Sequence, residues 1–237
     1  MRARTPAPHP ASPPHNIRMR LTKLEHSAMF LERSGTKLVI DPGKFTTPVT
    51  ESAGAVAIVV THQHDDHWTP AQLGRVWAAN PGIPLFAPAD AAALIGAADI
   101  AGAGEIRAVG PGDDAIAGDF RLSFWGGAHA EIHSSIPLVD NVGVLVNDRF
   151  YYGGDSYDAP EGVQVDVLAV PAYAPWMRIA ESIDYILRVK PSRVLAVHEM
   201  LLSRAGKELA ETRLRQAVES VGGSFIDLQP FDSIDLD

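Results

Sequence analysis

The sequence predicts an α/β protein, and three observations carry that expectation. Apolar runs of strand length alternate with helical patterns along most of the chain. A polar, histidine-rich loop sits between an early strand and the first helix. With 237 residues, 46% hydrophobic and 21% charged, the chain is long enough for one sizeable core and too short for much beyond one domain. The order is strand, polar loop, helix, strands, then helix, strand, helix, strand. It is compatible with an αβ/βα sandwich, two sheets face to face with helices outside, although periodicity alone does not separate that from other layered folds.

Residues 1–18 carry Pro6, Pro8, Pro10, Pro13 and Pro14 among Ala, Ser and Arg and lack the apolar core of a secretion signal. They read as a disordered tail, with His9 and His15 solvated, ahead of a single domain over 19–237. Strands at 28–31 and 37–41 flank a Ser34-Gly35 turn, so a hairpin opens the fold. Residues 57–60 form a short buried strand before the polar loop. After it, Thr69-Pro70-Ala71-Gln72 supplies a capping box with Pro at the first helical position. Leu73, Val76 and Trp77 give that helix its buried face, and Asn80-Pro81-Gly82 ends it. Asp90 caps a short Ala-rich helix. Segments 105–109, 120–125, 142–146 and 150–152 read as strands of a second sheet, with Asn147-Asp148 a tight turn between the last two.

A further apolar strand covers 165–170. Ile179, Ile183, Ile186 and Leu187 then make one helical face, with Arg188 and Lys190 near its C-terminus and Pro191 just beyond. Leu214, Ala217, Val218 and Val221 make another, stopped by Gly222-Gly223 ahead of a strand-like 224–228. No apolar run reaches the roughly twenty residues that span a bilayer, so a soluble cytoplasmic protein without a membrane partner is expected.

The polar loop is Thr61-His62-Gln63-His64-Asp65-Asp66-His67-Trp68. His62 and His64, two apart on extended backbone, project to one side and could share an ion, while Asp66 and His67, where the chain turns toward a helix, could hold a second. Asp65 is left to face solvent or cap the turn. A single loop histidine is ordinarily solvated or hydrogen-bonded, but four ligand-type residues at H-x-H-x-D-H spacing point to metal.

This pattern resembles the metallo-β-lactamase-fold superfamily, whose dinuclear members carry H-x-H-x-D-H followed by a distant His, a bridging Asp and a final His. The later pieces follow in order: His129 in Gly-Gly-Ala-His-Ala-Glu, Asp155 in Tyr-Tyr-Gly-Gly-Asp-Ser and His198 in Val-Leu-Ala-Val-His-Glu. The resemblance implies a four-layer αβ/βα sandwich of two mixed sheets with helices on the outer faces. It implies a first metal held by His62, His64 and His129, a second by Asp66, His67 and His198, and Asp155 as the bridge. Asp41, ending Leu38-Val39-Ile40-Asp41-Pro42-Gly43, looks like the superfamily's support for the metal loop rather than a ligand. His133 competes with His129, and the residue directly after the strand is preferred. His133 then reads as a substrate contact or a solvent-facing loop histidine.

Leu24-Glu25-His26-Ser27-Ala28-Met29-Phe30-Leu31 and the Gly-Gly-Asp-Ser segment are similar to the ascorbate-6-phosphate lactonase-like group of metal-dependent hydrolases, which has lipid phosphodiesterase relatives. That group carries Gly-His-Ser/Ala in its first hairpin, and Glu25 replaces the Gly here. His26 therefore reads either as a substrate-side group near the metals or as a hydrogen-bonded turn histidine. Tyr173 and Trp176, in a Pro-rich segment after the 165–170 strand, are candidate pocket residues, with interlayer packing the other reading. Glu199 could orient substrate or lie on the surface.

The expected activity is a dinuclear metal-dependent hydrolase. Two ions roughly 3.5 to 4 Å apart share a hydroxide that attacks a small ester, phosphodiester or lactone, with Asp66 managing the proton. The absence of cysteine excludes thiolate ligands and makes antibiotic hydrolysis an unexpected activity; no Gly-x-Ser-x-Gly elbow is present, and Ser156 reads as structural. Nitrogen-rich ligands suit zinc, and manganese or iron fit the mixed imidazole and carboxylate set. The chain's formal charge is −9, arguing against nucleic-acid partners. Two dications, offset by Asp66, Asp155 and hydroxide, would still leave the centre at about +1, favouring a small anionic substrate. Two other readings stand beside this one: a mononuclear iron dioxygenase of the same fold, and a metal-bound protein without turnover. Diiron oxygen reductases fit less well, since they carry Glu where this chain has His64. Oligomeric state is left open, a homo-oligomer being compatible with the sequence.

Overall fold

The computed structural model describes residues 18–236, so the expected tail at 1–18, with His9 and His15, lies outside the described residues except for Arg18. The chain opens with β1 (Met19–Lys23), β2 (Met29–Arg33), β3 (Thr36–Ile40) and β4 (Ala55–Val59), followed by α1 (Pro70–Ala79), β5 (Leu85–Ala87), α2 (Ala89–Ala97) and β6 (Ile106–Ala108). It continues with β7 (Asp114–Ala117), β8 (Phe120–Ala128), β9 (Asp140–Val146), β10 (Phe150–Tyr152), β11 (Val167–Pro171), α3 (Ile179–Val189), β12 (Arg193–Val197), α4 (Arg204–Ser220), β13 (Ser224–Phe225) and β14 (Ser233–Leu236). Two seven-stranded mixed sheets result, β14-β1-β2-β3-β4-β5-β6 and β13-β12-β11-β10-β9-β8-β7.

Period-two alternation explains the layers. In β3, Leu38 and Ile40 join the core between the sheets while Val39 faces the helical layer. In β12, Leu195 and Val197 face inward and Val194 and Ala196 meet the helices. Leu73, Val76 and Trp77 of α1 pack on the first sheet, and Leu214 and Val218 of α4 on the second. Burying both faces makes the central strands nearly continuous apolar runs. Among the described residues, no helix is long and apolar enough to cross a membrane.

The opening hairpin turns at Ser34 and Gly35, both at positive φ, and β9 and β10 join through Asn147 and Asp148 at φ 51 and 54. Both are the left-handed turns that match strand twist. Elsewhere the structure departs from the sequence expectation. Segment 105–109 yields β6, which pairs parallel with β5 in the first sheet, not the second; the α2 crossover returns the chain beside the strand it left. Strands β7 and β14 go unanticipated because their mixed polar patterns are those of sheet edges. The 224–228 strand shrinks to the two residues of β13.

Pro88, not Asp90, precedes α2; Asp90 lies in its first turn and accepts the Asp140 N–H at 3.0 Å. The capping box at α1 is half formed. Thr69 accepts the Gln72 N–H, but the Gln72 side chain is buried among residues 43–49, accepting the Val49 N–H at 3.0 Å and donating to the Thr46 carbonyl at 2.8 Å. The buried face of α3 is Ser182, Tyr185 and Ile186, leaving Ile179 and Leu187 exposed. Ser182 and Tyr185 can be buried there because their hydroxyls donate to the carbonyls of Pro171 and Asp158.

Candidate metal centre

Strand ends on both sheets deliver the predicted residues to one place. Asp41 follows β3, the histidine loop follows β4, His129 follows β8, Asp155 lies three residues past β10 and His198 is the first residue past β12. The loop crosses from one sheet to the other: His62 bridges to Asn141 of β9, and the Val142 N–H donates to the Thr61 carbonyl at 2.9 Å. Asp41 and His198 hold left-handed backbone, as does His26 in the β1–β2 turn, with φ between 45° and 60°. Such conformations in non-glycine residues concentrate at functional sites.

Asp41 is fully buried and organises the loop. It accepts the Thr61 N–H at 2.8 Å, the Thr61 hydroxyl at 2.7 Å and His67 Nδ1–H at 2.7 Å. Gly43, two residues on, lets the two loops touch, since a Cβ there would stand 1.8 Å from the Asp66 carbonyl oxygen. Gly154 is needed next to Asp155: its φ is +65°, and a Cβ would lie 2.3 Å from Asn141 Oδ1.

Side-chain nitrogens and oxygens gather in three overlapping groups, each with its ligand atoms within 4.8 Å of one another: His62, His64 and His129; His26, Asp66, His67 and His198; and His62, His67 and Asp155. Asp155 lies between the first two, its oxygens 3.3 Å from His67 Nε2, 3.4 Å from His129 Nε2 and 3.2 Å from His198 Nε2. The imidazoles are oriented from behind. His129 Nδ1–H donates to the Ala130 carbonyl at 2.5 Å, His198 Nδ1–H to the Tyr173 carbonyl at 2.6 Å, and His67 as above to Asp41. Because the Thr61 hydroxyl donates to Asp41, its oxygen accepts from His62 Nδ1, 3.2 Å away.

With Nδ1 so held, the neutral forms of His62, His67, His129 and His198 each turn an Nε2 lone pair into the cluster. The Nε2 atoms of His67, His129 and His198, together with Asp155 Oδ1, are buried without a hydrogen-bond partner. Stranding so many polar atoms in one spot is costly unless a cation completes them, and oriented imidazoles and carboxylates are the donor set divalent metals take. The residues therefore fit a metal cluster.

The electrostatics divide the cluster. Burial, reinforced by neighbouring imidazoles, lowers His62 well below the ordinary histidine value, and burial lowers His64 as well. His198 is pushed the other way: burial opposes its charge, but Asp155 and Asp66 together raise it to about 9. His67 is likewise raised well above its ordinary value against burial, by Asp155 and Asp41. Burial opposes ionisation of Asp66 and Asp155, yet both carboxyls sit well below their usual range; His198 and His26 hold Asp66, and His198 and His67 hold Asp155.

The secondary candidates separate. His26 is fully buried, its Nε2 3.2 Å from Asp66 Oδ2 and its ring tilted against that of His198 with centroids 3.9 Å apart, and burial lowers it to about 4. It stands in the same group of ligand atoms as Asp66, His67 and His198. Glu25 accepts the Thr47 N–H at 2.5 Å, so the residue replacing the group's Gly ties down the neighbouring loop. His133 is exposed and belongs to none of the three groups; its Nδ1 is 2.8 Å from the Ser135 hydroxyl. Tyr173 is exposed and serves His198 through its backbone carbonyl. Trp176 donates its indole N–H to Asp155 Oδ2 at 2.9 Å, with its ring edge-on to His129. Ser156 is buried and donates to Asp158, a structural hydroxyl.

Glu199 neither faces substrate nor lies on the surface: it is buried, 2.6 Å from Lys23 Nζ, an ion pair tying β1 to the residue after His198. Its partner lies 176 positions away in sequence, so no local pattern revealed it. Asn141 was also missed. It accepts the Asp155 N–H and donates to the Gly153 carbonyl, and the signal is an amide at the head of the apolar run 142–146. A hollow of about 240 Å³ on the outer face of β1–β3 includes no residue of the cluster.

Comparison with known proteins gives a family. The beta-lactamase superfamily domain matches residues 20–198. The Mycobacterium tuberculosis protein Rv0786c is 36% identical over 203 residues, 84% of this chain and 92% of its own. A UPF0173 metal-dependent hydrolase of Aeropyrum pernix is 29% identical over 166 residues, 64% of this chain and 65% of that protein. Among solved structures, the metallo hydrolase Igni18 of Ignicoccus hospitalis superposes with a TM-score of 0.68 at 16% identity, covering 93% of this chain and 99% of that one, a likeness of fold.

Proposed function

This chain belongs to the beta-lactamase superfamily and carries the donor set of a metal-dependent hydrolase, and on that premise we propose that it hydrolyses a small anionic ester, phosphodiester or lactone with two divalent ions. The observation that carries the reading is the set of buried atoms without a hydrogen-bond partner on His67, His129, His198 and Asp155, in three overlapping groups of ligand atoms with Asp155 oxygens 3.2 to 3.4 Å from His67, His129 and His198. His62, His64 and His129 would hold one ion, Asp66, His67 and His198 the other, and Asp155 would span both. Bound there, the ions would polarise the substrate's carbonyl or phosphoryl oxygen and lower the pKa of a water toward about 7. Zinc suits the nitrogen-rich set; manganese and iron suit its carboxylates.

The chain's own residues supply positioning and a path for the proton. Asp41 fixes His67 in the tautomer that presents Nε2, and the Tyr173 carbonyl does so for His198. Asp66 Oδ2 is held by His26 and His198 while its side chain is about one-fifth exposed, and Oδ1 takes part in none of these contacts. Asp66 is thus the carboxylate placed to receive a proton from the attacking water. Among the described residues, no Lys or Arg hydrogen-bonds to the cluster, so attraction for an anion would come from the ions themselves. A cytoplasmic protein acting on a small molecule, without nucleic acid, is the setting that fits this reading.

Elemental mass spectrometry of protein purified without added metal tests it, beside a His64→Ala control. Two equivalents of zinc or manganese, falling in the variant, are expected, together with loss of esterase activity on chelation and its return with added metal. One equivalent of iron would replace this reading with an oxygenase, and well-folded protein without metal would end it.

A further inference from the structure

Of the residues in the three ligand groups, His26 alone comes from ahead of the polar loop, in the turn between β1 and β2. Its backbone is left-handed, with φ 60°, and its carbonyl accepts the His198 N–H at 2.9 Å. The turn is braced on both sides: the Leu24 N–H donates to the Ala28 carbonyl at 2.9 Å, and the Thr46 hydroxyl to the Glu25 carbonyl at 3.1 Å. The imidazole is buried edge-on to Phe45 and tilted against His198. Its position is therefore set by the hairpin and not by the loop it touches.

His26 Nε2 lies 3.2 Å from Asp66 Oδ2, the same oxygen that stands 3.3 Å from His198 Nε2 and 3.8 Å from His67 Nε2. Oδ2 is thus the Asp66 atom that faces the second group. Two features set His26 apart from the histidines around it. His62, His67, His129 and His198 each have Nδ1 within hydrogen-bonding distance of an oxygen, whereas His26 Nδ1 is buried without a partner. His67, His129 and His198 also bring Nε2 to within 3.4 Å of Asp155, while His26 approaches Asp66 instead. A His26 tautomer with its proton on Nδ1 would bury that N–H without an acceptor and set two lone pairs against each other across 3.2 Å. With the proton on Nε2 the ring donates to Oδ2, and one bare acceptor nitrogen is all that is left over.

We propose that His26 is a positioning residue: it donates Nε2–H to Asp66 Oδ2 and so aims that oxygen at the second ion, without ligating the ion itself. The inference rests on the two-ion reading and adds a residue outside its ligand set. Ligating carboxylates are ordinarily held by such hydrogen bonds. Here the bond has a particular use, because the Asp66 side chain is 19% exposed while those of His26, His67 and His198 are at most 2% exposed. Asp66 is the member of its group with most freedom to turn away. The same turn holds His198 through its backbone, so one short segment of the first hairpin places two donors of one ion.

The test compares the unaltered protein with His26→Phe, which keeps an aromatic ring between Phe45 and His198 but removes the donor, and with His26→Gln, whose amide N–H can stand where Nε2–H stood. In calorimetric titration of chelated protein with zinc, second-site affinity should fall by about 10- to 100-fold in His26→Phe and largely return in His26→Gln, with the first site unchanged. Cobalt-saturated protein should keep the same visible band intensities in all three, since no ligand is lost. In the unaltered zinc-loaded protein, long-range proton–nitrogen NMR should place the His26 proton on Nε2, a measurement that stands even where His26→Phe does not fold. A metal-bound His26 nitrogen, a proton on Nδ1, or cobalt bands altered by both substitutions would overturn the proposal in favour of ligation. Equal zinc affinity in His26→Phe, or no recovery in His26→Gln, would reduce the ring to packing. Each of those failures leaves the two-ion reading intact, whereas an unaltered protein that takes up no second ion would remove that reading and this role together.

Discussion

The two halves of the cluster share Asp155 but are organised by different physics. His62, His64 and His129 have no carboxylate of their own. Their hydrogen-bond partners are the Thr61 hydroxyl, the Ala130 carbonyl and one another, and His62 and His64 are biased toward the neutral form. Asp66, His67 and His198 sit among three carboxylates, counting Asp41 and Asp155, and both histidines are biased toward the protonated form. In the second half, protons therefore balance the charge that a metal ion would balance. The first half presents lone pairs without added protons. On the proposed reading, a metal ion entering the second half would have to displace protons, and one entering the first would not.

The largest expected effect comes from Asp41, which supports the second half directly through His67 and the first indirectly through Thr61 and His62. Asp41→Asn keeps the volume and an acceptor for the Thr61 N–H, but it can turn an N–H toward His67 Nδ1 in place of a carboxylate oxygen. His67 then loses the partner that fixes its tautomer, and loss of such a partner lowers metal affinity by about 10- to 100-fold. Metal titration should show the second site weakened most and the first, reached only through Thr61, weakened less, with activity falling in step with the second ion. Equal weakening at both sites would mean that the halves are not independent.

That separation was only partly legible in the sequence. The H-x-H-x-D-H run, Asp41 after an apolar strand and the later His and Asp each show locally, because each is a polar residue ending a run of strand-forming residues. So do the Ser34-Gly35 and Asn147-Asp148 turns, whose residue types report φ directly. What stayed hidden depends on distant partners. The sheet that β6 joins is decided by pairing with β5, and β14 is held by β1 from the other end of the chain. The burial of Glu199 needs Lys23, and the value of Trp176 lies in a bond to Asp155. Tyr185 and Ser182 were passed over on α3 because a hydrophobic pattern cannot show that a hydroxyl has a carbonyl waiting.

A middle-sized effect is expected at the shared carboxylate. Trp176→Phe retains an aromatic ring edge-on to His129 and removes only the indole N–H that Asp155 Oδ2 accepts. Since Asp155 serves both halves, both metal affinities should fall together, by up to about tenfold at the low end of the loss seen for such supporting partners. Trp176→Ala should add loss of packing on Tyr157, visible as lower thermal stability. If Trp176→Phe leaves both affinities unchanged, the indole is packing alone.

The smallest effect concerns pH, and it sharpens the contrast between the halves. In metal-free protein, His26 falls from 6.5 to about 4, so the unfolded chain binds the extra proton more readily; its share of stability is full above pH 6.5 and is lost as pH falls toward 4. His198 rises from 6.5 to about 9, so its share is full below pH 6.5 and is lost as pH climbs through 9. Both lie in the second half, and together they predict a melting temperature that peaks near pH 6.5 in scanning calorimetry of chelated protein. Metal should change the alkaline limb, because an ion bound by neutral His198 no longer needs the proton that the metal-free fold retains. Proton release on metal uptake, measured in buffers of different ionisation enthalpy, should accompany filling of the second half and be small for the first, where burial already keeps His62 and His64 neutral. Equal release at both halves would show that the charge asymmetry does not govern how the two ions bind.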